Sequence, residues 1–66
     1  MNKLDLHGVR HSEVDRLVEN FVFLNDTPIR IVTGNSDRMI RLVTDVLDRH
    51  SIEYERFEPG QVTILK

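Results

Sequence analysis

The sequence predicts an α/β fold, a two-layer βαβαββ sandwich with a four-stranded mixed sheet and two helices on one face, built as a single domain over residues 1–66. Three observations carry this. The apolar period switches cleanly between the two-residue step of strands and the three- and four-residue steps of helices. The switches fall at Gly, Pro, Asn and Ser. Strands alternating with helices across short connections indicate parallel βαβ units, and right-handed crossovers stepping in one lateral direction put both helices on the same sheet face.

Residues 3–7 form the first expected strand, with Leu4 and Leu6 on one face and Asp5 and His7 on the other, before Gly8 turns the chain. Asp is depleted from strands, so a demand other than stability accounts for it. From Ser12 to Leu24 the residues Val14, Leu17, Val18, Phe21 and Leu24 make a helical stripe. Ser12 is its expected N-cap, and Glu13 and Asp15 suit the positive end of the helix dipole. Pro28 closes that segment. The β-branched run Ile29–Thr33 reads as an interior parallel strand, ended by Thr33-Gly34-Asn35-Ser36. A second helix is expected from Asp37 to His50, capped by Ser36, with Met39, Ile40, Val43, Val46 and Leu47 inward. Ile52–Phe57 and Val62–Leu65 complete the order as two strands joined by Glu58-Pro59-Gly60-Gln61, where Pro then Gly suits the centre of a turn.

Sixty-six residues without cysteine and with 39% hydrophobic content make one small domain that lacks disulfide staples, which fits a reducing compartment. No apolar run is long enough for a membrane span, and the N-terminus lacks the profile of a secretory signal, so the expected setting is cytoplasmic. The net charge of −2 argues against general, charge-driven affinity for nucleic acid. Such binding requires a local basic patch.

Loops leaving the carboxyl ends of parallel strands share one edge, where ligands bind. His7-Gly8 and Thr33-Gly34-Asn35-Ser36 are therefore expected to converge. The second loop opens a helix, whose first amides suit a phosphate or carboxylate, and Gly34 permits close approach to the main chain. Arg10, His11, Arg38 and Arg41 supply a basic rim, with Arg10 and Arg38 the first choices for phosphate contact. A histidine beside bound phosphate, oriented by Asp5, is a suitable general acid or base for phosphodiester cleavage.

Leu4-Asp5-Leu6-His7-Gly8, the helix after it, Ile31-Val32-Thr33-Gly34, the second helix and Gly60-Gln61-Val62-Thr63-Ile64-Leu65 together resemble the small MutS-related (Smr) domain over nearly the whole chain. The resemblance implies a βαβαββ domain similar to the C-terminal domain of translation initiation factor three. It also implies nucleic-acid binding, with several relatives acting as DNA-nicking or RNA-cleaving endonucleases and with links to ribosome rescue and recombination control. On that likeness Asp5 and His7 fall on the family's proposed catalytic positions, and Gly34 on the first glycine of its Thr/His-Gly-x-Gly loop. Ser36 stands where the family usually has the second glycine. A serine there can cap the helix and donate its hydroxyl to a phosphate.

The expected site is thus catalytic Asp5 and His7, with Gly8, Arg10, Thr33, Gly34, Asn35, Ser36 and Arg38 holding phosphate or nucleic acid. One Asp and one His do not make a closed metal site, and no cofactor is indicated beyond the option of hydrated Mg2+ on Asp5. Plainer readings attach to other residues. His11 and His50 are helix-end residues; Arg30, Arg49 and Arg56 read as solvated charges. Phe21, Phe23, Tyr54 and Phe57 are too scattered for a base-stacking platform. Three functions stay open: an endonuclease on RNA or structured DNA, a non-catalytic adaptor for nucleic acid or a ribosomal surface, and a module for a small phosphorylated ligand. A bare second sheet face leaves monomer and weak homodimer both open.

Overall fold

The chain's first strand, β1 (Asn2–Asp5), is followed by α1 (His11–Leu24), β2 (Ile29–Val32), α2 (Asp37–Arg49) and β3 (Gln61–Ile64) in the computed structural model, which describes residues 2–66. β1 and β2 are parallel, with Leu4 opposite Ile31 and Asp5 opposite Val32. β3 runs antiparallel to β2 on its other side, with Val62 opposite Ile31 and Ile64 opposite Ile29. The sheet order is β1-β2-β3.

The expected strand at 52–57 is reduced to one bridge, in which Glu55 and Thr63 exchange backbone bonds of 2.7 and 2.8 Å. The sheet is therefore three-stranded and mixed, not four-stranded. Four of the seven residues from Ile52 to Glu58 are not apolar but charged, namely Glu53, Glu55, Arg56 and Glu58. Charges on an edge segment oppose extended pairing, and only Ile52 and Tyr54 pack against the core. β1 also stops earlier than expected, at Asp5, although Leu6 N still donates to Val32 O at 2.9 Å.

Register puts Leu4, Ile29, Ile31, Val62 and Ile64 on one sheet face. That face meets Val14 and Val18 of α1 and Met39, Val43, Val46 and Leu47 of α2 in one core cluster completed by Leu6. Leu24, expected inward, is 82% exposed. It lies about 80° around the helix from Val14 and at the last turn, beyond the reach of the sheet. The other face carries Lys3, Asp5, Arg30, Val32, Gln61 and Thr63, with no helix over it. No helix among the described residues is long and apolar enough to cross a membrane.

Both helix starts follow local chemistry. Ser36 caps α2 as expected, its hydroxyl oxygen accepting from Met39 N at 3.2 Å. α1 begins one residue before the expected cap, so Arg10, not Ser12, takes that position, without a side-chain bond. Val9, just before the cap, packs on the core that contains Val14, as in a hydrophobic staple, and this contact sets the entry point.

Candidate functional site

β1 delivers its last residues into a tight turn. Val9 N donates to Leu6 O at 3.1 Å, with His7 and Gly8 at the centre and Gly8 at φ +75°. A left-handed conformation there favours glycine. His7 is consequently a turn residue rather than a strand residue, and its side chain is aimed by hydrogen bonds instead of by the pleat. Its backbone N–H donates to Asp5 Oδ1 at 2.9 Å, and its ring Nδ1 lies 2.7 Å from the same oxygen. One carboxylate oxygen thus fixes both the turn and the imidazole.

The Asp5 carboxyl is held below its ordinary value, first by the His7 backbone N–H, then by the His7 ring, with a smaller contribution from Lys3. An ionised Asp5 accepts the Nδ1 proton, so the neutral ring keeps its lone pair on Nε2. That nitrogen faces the second loop. A methyl group on Gly34 would sit 3.2 Å from His7 Nε2, so the ring occupies space that glycine leaves open. The two loops converge as the parallel strands require.

The second loop is anchored from a third direction. Gly60 O accepts from Thr33 N at 2.8 Å and from Gly34 N at 3.1 Å. Gly60 itself lies so close that an added Cβ would come within 3.2 Å of the Gly34 carbonyl carbon. Thr33 is buried, and its hydroxyl donates to Gly34 O at 2.9 Å, so it shapes the loop from beneath. These bonds consume the Thr33 and Gly34 amides. Among the described residues, the amides of Asn35, Ser36, Asp37 and Arg38 have no such partner, ahead of the first helical bond from Ile40 N to Ser36 O.

Asn35, Ser36 and Arg38 are exposed beside that mouth, and Arg10 is exposed at the start of α1. Asp5, His7 and Gly34 form one cluster that the loop to Ser36 continues, whereas no side-chain hydrogen bond or ion pair ties Arg10 or Arg38 to it among the described residues. Gly60 was not among the expected site residues. Its signal was topological: a last strand antiparallel to the others must begin at the edge where they end, so the glycine preceding it belongs there too.

No three His, Cys, Asp or Glu side chains among the described residues group to hold a metal. Asp5 Oδ1 is engaged twice by His7, which leaves Oδ2 as that carboxylate's free oxygen. A recess of about 580 Å³ lies elsewhere, between the helices, lined by Asp15, Leu42, Asp45, Asp48 and Arg49. Its three carboxylates disfavour phosphate.

These features define a class: a small two-layer α/β domain whose parallel strands end in an edge shared by an Asp–His pair, a glycine and a capped helix mouth. The fold matches the human small-MutS related (Smr) domain, known from a crystal structure, with a TM-score of 0.64 and 25% sequence identity over 96% of this chain and 99% of that one. Neither a protein-family model nor a curated protein matches the sequence.

Proposed function

We propose that the domain binds nucleic acid along the His7 edge and cleaves phosphodiester bonds there, with RNA as the polymer its own residues can cut. The observation that carries this reading is the alignment of Asp5, His7 Nδ1, His7 Nε2 and Gly34. In RNA the nucleophile is built into the substrate. Nε2 takes the 2′-hydroxyl proton, the 2′-oxygen attacks phosphorus, and the bond to the 5′-oxygen breaks as that oxygen gains a proton from water. The products are a 2′,3′-cyclic phosphate and a 5′-hydroxyl. Asp5 stabilises the imidazolium that forms. The open amides at the mouth of α2, the Asn35 and Ser36 side chains, the turn at Gly8, and the Arg10 and Arg38 guanidiniums hold the phosphates. DNA offers no such hydroxyl and requires an activated water in its place.

A second reading has one observation in its favour. Asp5 and His7 are the edge's single proton-transfer pair, which suits a non-catalytic adaptor on nucleic acid or a ribosomal surface. Cleavage assays on single-stranded RNA, duplex DNA and branched DNA, with magnesium and with EDTA, separate the two. The expected result is RNA cleavage in EDTA leaving a cyclic phosphate end. His7→Ala is expected to lower the rate by roughly 100-fold or more while binding stays near the parent's. Unchanged rates in both His7→Ala and Asp5→Ala would remove the site assignment, and binding without cleavage by the parent would establish the adaptor.

A further inference from the structure

The open sheet face carries a recess of about 170 Å³ lined by Arg30, Phe57, Glu58, Gln61, Thr63 and Leu65. It is smaller than the roughly 300–1,000 Å³ of sites for drug-sized molecules, and so suits one flat group. Phe57 and Leu65 stand 68% and 50% exposed around it. Exposed apolar side chains are ordinary on a protein surface, as at Phe23 and Leu24, but here two of them line a recess together with polar groups. Arg30, expected to be a solvated charge, is half-buried, and its Nε is shielded from water with no hydrogen-bond partner. Gln61 and Thr63 bring an amide and a hydroxyl to the same place.

Position ties this recess to the His7 edge. Gln61 follows Gly60, whose carbonyl holds the Gly34 loop, and in register Gln61 faces Val32, which faces Asp5. The span from Asp5 across β2 to β3 is about 10 Å, two strand spacings. That distance is within the reach of one nucleotide, so a polynucleotide with a phosphate at His7 brings an adjoining base to this face.

Building on the nucleic-acid reading of the His7 edge, we infer that the recess is a subsite for an unpaired nucleobase, stacked on Phe57 and hydrogen-bonded by Gln61 and Arg30. A planar aromatic ring covers Phe57, and the base and its sugar-phosphate offer acceptors to the guanidinium. A second copy of the chain suits the face less well. A stable interface needs roughly 800 Å² from each partner, and here the apolar part is confined to Phe57, Leu65 and half-buried Val32, among Lys3, Asp5, Glu55 and Glu58. The subsite makes the domain selective for single strands, because a paired base must first give up its pairing and stacking to enter.

Fluorescence anisotropy with a 2′-O-methyl RNA oligonucleotide, single-stranded or annealed to its complement, tests this on the parent, Phe57→Ala and Phe57→Tyr, with sedimentation velocity alongside. Phe57→Ala is expected to weaken the single strand about tenfold, Phe57→Tyr to retain it, and neither to change the duplex or the melting temperature. Equal affinity of parent and Phe57→Ala for the single strand would overturn the subsite and leave the His7 reading standing. Failure of the parent to bind either RNA would overturn both. A dimer of the parent that Phe57→Ala dissociates would assign the face to a second copy instead.

Discussion

Asp5 accepts two bonds from His7 through one oxygen, and this shared acceptor makes a sequence motif into a geometry. Because the native carboxyl lies below its ordinary value, folding is favoured by the ionised form. That contribution is complete above the unfolded value of about 3.9 and is lost as pH falls through the lower folded value. The advantage of the parent over Asp5→Asn in urea midpoint is therefore expected to be constant from pH 7 to 5 and to shrink below about pH 4. A difference that ignores pH would show that the ionised contact is not formed in solution. At this scale the sequence was informative where neighbours in the chain make the contact: Asp5 and His7 are two residues apart, and Ser36 and Met39 three. Gly60 and Arg30 were opaque because their partners, or lack of them, depend on which strands lie side by side.

Among the elements, the two ends of α2 contrast with the start of α1. Ser36 satisfies one of its first amides, and at the far end Ser51 N donates to Asp48 O at 3.1 Å and Ile52 N to Leu47 O at 2.9 Å. This is a Schellman ending, with Ile52 joining Leu47 in the apolar cluster. Its left-handed position holds Ser51 at φ 56°, where a side chain is unfavourable by about 1–2 kcal/mol. Ser51→Gly is expected to raise stability by about 1 kcal/mol in denaturant titration; a loss would mean the serine hydroxyl has a stabilising partner. Helix existence and most of the facing followed from periodicity, except at Leu24, which is exposed, and Ile40, which stays outside the core cluster; the start of α1 was set by Val9 reaching the core, and no propensity at Ser12 competes with that. The 52–57 segment has the alternation of a strand in Ile52 and Tyr54, yet its charges keep it at the edge with one bridge. Across the helices, Arg49 pairs with Asp15 at 3.0 Å and His50 with Glu19 at 3.1 Å. Exposed pairs of this kind add little to stability, so the helices are held by their apolar faces.

At the scale of the molecule, eleven buried apolar residues among the described ones form one cluster between the sheet and the helices. A 66-residue domain has only roughly 3–10 kcal/mol of net stability. Leu47→Ala, at a fully buried position, is expected to cost about 2–5 kcal/mol and to leave a large unfolded fraction by circular dichroism at 37 °C. Near-parent melting would show the core can collapse around the gap. The layered architecture was legible because βαβ order and crossover handedness leave few arrangements; the bare face was legible as polar, but its recess depends on Phe57 folding over from a loop. β3, late in the chain, is paired to β2 through its full length, and its preceding Gly60 clamps the loop beside His7. A growing polypeptide therefore lacks the hollow beside His7 until these late residues have emerged, because the carbonyl that holds the Thr33 and Gly34 amides and the strand that pairs with β2 both come last.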